Sequence, residues 1–188
     1  MHLAKSGIRV LGIAESYRRR EYSTLAGVVM RRDLVIDGMG LSSVTVGGSD
    51  ATEATIKIFD DLRRKDINCL MLSGCVISWF NIIDPGEVSE RTGLPVVAVT
   101  YEQSDGLADD IRYHFPDDDR HLAAYLALGE RTPFRLHTGY EIYCRAWDIG
   151  MDDARRICNA FTKSGKIPEP LRVARLMARA YVRYPGYQ

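Results

Sequence analysis

An α/β domain, with a mixed five-stranded sheet and helices on both of its faces, is what the apolar patterning of this chain predicts. Three observations carry that expectation. Three β-type apolar runs come first, joined by gaps too short for a crossover. A helical period, a short continuous apolar run, a second helix and a second such run follow, which is the order of a βαβ unit. The 188 residues are 46% hydrophobic and 27% charged, the balance of one globular domain that buries roughly 70% of its unfolded surface. Residues 1–188 are therefore read as a single domain with a helical C-terminal part. That composition excludes an intrinsically disordered chain, and no run of 18 apolar residues exists to span a membrane. The opening residues lack the small-residue cleavage pattern of a signal peptide.

The strands and helices follow in order. Ile8–Ala14 reads as a buried strand, Tyr22–Met30 as a second, and Leu34–Val46 as a third, bent around Gly38 and Gly40. Short gaps favour an antiparallel meander. Asp50, followed three residues later by Glu53, has the spacing of a capping box, and Ile56, Phe59 and Leu62 continue at helical period. Asn68–Leu72 is a central strand. Asp84 with Pro85 and Glu87 starts the next helix, which Gly93 ends, and Leu94–Thr100 is the fifth strand. Asp105–Tyr113, Asp118–Leu128, Asp152–Thr162 and Pro170–Tyr184 read as helices, and Arg135–Arg145 as one or two late strands.

Cysteine usage and charge bound the function. Cys69, Cys75, Cys144 and Cys158 form no CxxC pair, which points to a reduced, cytoplasmic protein without a zinc ribbon. Net charge is zero but unevenly spread. Tyr101–Asp119 carries seven acids and one arginine, whereas Ala154–Gln188 carries eight bases and only Glu169. In the final helix Arg172, Arg175, Arg179 and Arg183 step by three, four and four along one face. Like charges at that spacing cost stability unless something anionic offsets them: a phosphate backbone, or the acidic segment of the same chain or of a second copy in a homodimer. A solvated face is the plain alternative. Arg18, Arg19 and Arg20 form a second cluster suited to phosphate contacts.

Several phrases resemble one family. They are Val10-Leu11-Gly12-Ile13, Gly48-Ser49-Asp50-Ala51-Thr52-Glu53, Leu72-Ser73-Gly74 with Phe80-Asn81-Ile82-Ile83-Asp84, Thr92-Gly93-Leu94-Pro95-Val96, and Pro168-Glu169-Pro170-Leu171-Arg172-Val173-Ala174. In this order they are similar to the archaeal endonuclease dU family, relatives of endonuclease V. The element order is also that of ribonuclease-H-like domains. The resemblance implies a phosphodiesterase in which acids on the first strand, the first helix and the end of the fourth strand hold Mg²⁺, or Mn²⁺ as a substitute, to activate water. It implies action on deaminated bases in DNA or RNA.

The chain departs from that pattern at three positions. The family's first strand ends Gly-Ile-Asp-Asp; here it reads Gly12-Ile13-Ala14-Glu15. Its fourth strand ends Leu-Asp-Gly; here Ser73 replaces the acid. A histidine of the last helix is replaced by Arg175. The acids left for catalysis are Asp50, Glu15 and Asp84, with Asp50 and Glu15 as the metal ligands. Neighbouring strand residues face opposite ways, so Glu15 is expected on the face away from Ala14. Asp50 and Asp84 also suit helix caps, the capping role coming first for Asp84.

Candidate substrate-binding residues are Arg172, Arg175, Arg179, Trp79, Asn81 and Ser73. Trp79 would stack on an unpaired base, or else close the core beside Phe80. No Gly-x-Ser-x-Gly elbow surrounds Ser73, and the histidines are scattered. Two functions follow: a metal-dependent endonuclease on deaminated bases with a degraded carboxylate site, or a catalytically inactive relative that binds nucleic acid or protein.

Overall fold

The computed structural model of the chain describes residues 7–17 and 21–184. The expected Arg18–Arg20 cluster lies outside them. Strands β1 (Arg9–Ser16), β2 (Tyr22–Arg31) and β3 (Ile36–Thr45) form the antiparallel meander, with the register shifting between Val29 and Met30 opposite the glycine-containing stretch. Helix α1 (Ala51–Leu62) leads to β4 (Cys69–Leu72), which pairs parallel to β1. A short hairpin, β5 (Val76–Ile77) and β6 (Asn81–Ile82), precedes α2 (Pro85–Thr92) and β7 (Val96–Thr100), which is parallel to β4. Then come α3 (Ala108–His114), α4 (Asp119–Ala127), β8 (Thr132–Arg135), β9 (Glu141–Trp147), α5 (Met151–Ala160) and α6 (Glu169–Arg183).

The main sheet has seven strands in the order β3-β2-β1-β4-β7-β9-β8, not five. The one or two late strands expected within Arg135–Arg145 are β8 and β9, and they join the main sheet: Ile142 and Cys144 of β9 alternate into the core, and β9 pairs antiparallel with β7. Pro133 sits in β8, an edge strand, where a missing N–H costs no ladder bond. The β5–β6 hairpin leaves no signal in the sequence, because two-residue strands carry no measurable period.

Side-chain alternation divides the core between the two faces of the sheet. Val10, Ala14, Met71 and Val99 pack with α5 and α6 through Ile157, Phe161, Leu171 and Ala174. Leu11, Ile13, Leu70 and Leu72 pack with α1 and α2 through Ala54, Ile58 and Val88. Gly12 allows the start of α6 to lie directly on β1: a Cβ there would come within 2.5 Å of Pro170 Cβ. All four cysteines are free and buried. Among the described residues no helix is long and apolar enough to cross a membrane.

Candidate nucleic-acid interface

In an open sheet with parallel central strands, ligands sit beyond the carboxyl ends of those strands. Here those ends are Ala14–Glu15 after the core of β1, Ser73 after β4 and Tyr101 after β7. Ser73 N–H donates to the Ile13 carbonyl at 2.9 Å, which holds the two central strand ends side by side.

Glu15 and Ala14 face opposite ways, as strand alternation requires. Ala14 is buried on the α6 face. The Glu15 carboxylate lies on the other face and accepts from Ser78 N–H at 3.1 Å through both oxygens, from the Ser78 hydroxyl, and from Ser23 Oγ at 3.1 Å. It anchors the turn of the β5–β6 hairpin, whose Ser78, Trp79 and Phe80 all have left-handed backbone, φ +42°, +60° and +64°. Such conformations are costly for side-chain-bearing residues and persist only where the surroundings impose them. Three hydrogen bonds to Glu15 and one from Gly47 N–H to the Ser78 carbonyl, at 2.7 Å, do so here.

The turn presents Trp79 to solvent, 49% exposed, against the rings of His114 and Phe80 with centroids 4.8 and 5.6 Å away. Phe80 continues the cluster to Phe115, on which His121 stacks at 4.2 Å. Trp79 therefore does not close the core, whereas Phe80 is half-buried. His121 also bridges Asp118 Oδ2 at 3.2 Å and the Gly48 carbonyl at 3.3 Å. It borders a cavity of about 230 Å³ shared with Ser49, Thr52, Asp84 and Asp118. The Arg120 guanidinium holds Asp118 at a pKa of about 2, so its carboxylate is charged at neutral pH.

Asp50 does not make the capping box its spacing suggests. No side-chain cap bond joins it to α1. Its carboxylate instead accepts from Thr45 N–H at 3.1 Å, Thr45 Oγ1 at 2.8 Å and Asn81 Nδ2 at 2.6 Å. Asn81 takes over the cap, accepting from Ala51 N–H at 3.0 Å. The alternative partners arise from a hairpin too short to read in the sequence. Glu53, the other half of the expected box, is paired with Arg91. Asp84 does cap its helix, accepting from Gly86 N–H at 2.8 Å and Glu87 N–H at 3.1 Å. Thus Glu15, Asp50 and Asp84 each serve a separate hydrogen-bond system.

On the α6 face Arg175 reaches the end of β4. Arg175 donates to Ser73 Oγ at 2.8 Å, and its guanidinium carbon lies 5.8 Å from the Tyr101 ring centroid. The arginine stripe of α6 is not uniform. Arg172 pairs with Glu169, a carboxylate only 6% exposed, and Arg175 turns inward, while Arg179 and Arg183 are exposed. No arginine of α6 pairs with the acidic segment among the described residues, where Glu102 pairs with Lys166 at 3.3 Å. Tyr101, which the sequence reading passed over, is signalled only by its place one residue beyond a strand.

A divalent cation of the Mg²⁺ type needs oxygen ligands, chiefly carboxylates. The methyl of Ala14, the hydroxyl of Ser73 and the guanidinium of Arg175 do not fit one. Their donor set is neutral or cationic. Among the described residues no group of three or more His, Cys, Asp or Glu side chains is placed to hold a metal ion.

A seven-stranded mixed sheet with a flanking C-terminal helix gives this chain a fold similar to that of endonuclease V structures. The endonuclease dU family matches residues 6–182, and the chain belongs to that family. A UPF0215 protein of Pyrobaculum calidifontis is 39% identical over 176 residues, covering 93% of this chain and 97% of its own. Among solved structures, a protein of unknown function from Archaeoglobus fulgidus superposes with a TM-score of 0.79 at 24% identity, covering 94% of this chain and 99% of its own. Endonuclease V of Ciona intestinalis, solved with a DNA containing an inosine, superposes with a TM-score of 0.64 at 16% identity, over 96% and 88% of the two chains.

Proposed function

We propose that this protein binds unpaired nucleic acid across the carboxyl ends of β1, β4 and β7, as a member of its family whose ancestral carboxylate centre is dismantled. The observation that carries this reading is the Arg175–Ser73 hydrogen bond of 2.8 Å, with Ser73 N–H bonded to Ile13 next to Ala14, where the resemblance implies two acids and a histidine. A guanidinium there attracts phosphate and repels a divalent cation. Trp79 supplies a stacking surface for a base, and Arg179 and Arg183 supply exposed charge for backbone phosphates. Bases that have lost an amino group are the natural ligands to try, because the Ciona relative was solved with inosine-containing DNA. The reduced, buried cysteines suit a cytoplasmic setting.

One observation favours a second reading, metal-dependent cleavage by Glu15, Asp50 and Asp84. The β5–β6 hairpin brings Glu15 and Asp50 to near neighbours, Ser78 and Asn81. Labelled oligonucleotides containing deoxyinosine, deoxyuridine or inosine separate the two. The protein is incubated with each, with Mg²⁺, Mn²⁺ or EDTA, beside Glu15→Gln and Asp50→Asn whose folding is checked by circular dichroism. Retention of oligonucleotide in EDTA, with no cleavage in Mg²⁺ or Mn²⁺, supports the binding reading. Metal-dependent cutting lost in either variant overturns it and establishes a rearranged nuclease.

A further inference from the structure

Arg175 is half-buried and has no carboxylate partner among the described residues, although Arg172, three positions earlier on the same helix, has Glu169. Among the described residues its one side-chain hydrogen bond goes to a neutral hydroxyl, Ser73 Oγ. A guanidinium carries five N–H donors, so the rest of the fork is uncommitted. Packing near the Tyr101 ring limits how that fork can turn. The Tyr101 hydroxyl is itself buried, and among the described residues no atom meets hydrogen-bond geometry with it, although Ser73 lies near enough to pull its pKa down. Native structures rarely leave a buried hydroxyl unpaired without a ligand or functional reason. Burial pushes its pKa up to about 12, against the opposing pull of Ser73 and Arg175, so at neutral pH it is a proton-bearing donor. Ser73, whose oxygen accepts from Arg175, has one proton of its own to donate, toward Tyr101 or toward a ligand between them.

We infer that Arg175, Ser73 and Tyr101 form a metal-independent site for a phosphate group, in which donors alone replace the metal centre expected at this end of the sheet. An arginine fork and two hydroxyls match a tetrahedral oxyanion, whereas the guanidinium charge and the lack of a carboxylate disfavour a divalent cation. The nearest acid along the chain, Glu102, is exposed and turned to Lys166. The inference rests on the reading of this edge as a nucleic-acid face but names its own ligand chemistry. The phosphate comes either from a polynucleotide or from solution.

Inorganic phosphate and oligonucleotides with and without a 5′-terminal phosphate are titrated calorimetrically into the full-length protein in EDTA. The wild type is compared with Arg175→Met and Tyr101→Phe, and thermal melting is followed alongside. Inorganic phosphate is expected to bind and to raise the melting temperature, and each variant to weaken that binding by about tenfold or more. Tyr101→Phe without phosphate is expected to melt no lower than wild type, because it deletes a buried hydroxyl that meets no hydrogen-bond geometry among the described residues. Tighter binding of the 5′-phosphorylated strand than of the plain one, lost in both variants, would support the site and assign its ligand to a polynucleotide end. Phosphate binding in the absence of any oligonucleotide binding would keep the site and sink the nucleic-acid reading. Oligonucleotide binding with no response to phosphate, or equal phosphate binding by all three proteins, would overturn the site and leave that reading standing. A lower melting temperature for Tyr101→Phe would also overturn it, by showing that the hydroxyl has a structural role.

Discussion

Asn81 Nδ2 donates to Asp50 Oδ1 at 2.6 Å, and through this contact a two-strand hairpin holds the start of α1. The same amide donates to the Thr45 carbonyl at 2.8 Å and accepts from Ala51 N–H at 3.0 Å. The Asn81 side chain is fully buried. One residue therefore joins the end of β3, the cap of α1 and a carboxylate that sequence spacing assigns to the helix itself.

Replacing Asn81 by Ala leaves an amide N–H and a carbonyl without partners in a buried place. The expected loss is about 2–4 kcal/mol in urea denaturation. Asn81→Asp sets two carboxylates together, so its deficit should shrink as the pH is lowered and one of them takes a proton.

At Gly12 the objection to a side chain is space. A Cβ would meet Pro170 Cβ at 2.5 Å and the Pro170 carbonyl carbon at 2.7 Å. Gly12→Ala is expected to cost about 1–3 kcal/mol, read as a lower melting temperature, because backbone must move to relieve the overlap.

Trp79 is half in water, and its removal should spare the fold. Trp79→Ala is expected to weaken binding of a single-stranded oligonucleotide by about 1–3 kcal/mol with little change in melting temperature. A large loss of stability with unchanged binding would instead make Trp79 the lid of the aromatic cluster formed with Phe80 and His114.

The arginines of α6 should separate by experiment. Arg179→Gln and Arg183→Gln are each expected to lower the slope of log affinity against log salt by about 0.7–0.9. Arg172→Gln should instead lower stability, because it strands the buried carboxylate of Glu169.

Acid sensitivity is expected at the opposite end of the sheet. Arg64 hydrogen-bonds Asp66 and holds it at a pKa of about 2, while Arg9 and Arg64 pull Asp37 below the carboxylate range. These groups are lower in the folded protein than in the unfolded chain. Their stabilisation is present above the ordinary value of 3.8 and is lost as pH falls toward about 2. Melting temperature measured across that window should fall less steeply for Asp66→Asn than for wild type.

Sequence alone determined what depends on neighbours along the chain. The β1–β3 meander, the βαβ order through β4 and β7, the Asp84 cap and the outward turn of Glu15 away from Ala14 all follow from period, alternation and short-range hydrogen-bond chemistry. Tertiary structure alone decided which partners those residues take. Asp50 abandons α1 for Thr45 and Asn81, Glu15 holds a strained turn 63 residues away, and Arg175 reaches Ser73 across 102 residues. A polar side chain chooses its partner by distance in space and by the cost of remaining unpaired when buried. Periodicity reports only the face on which a residue starts.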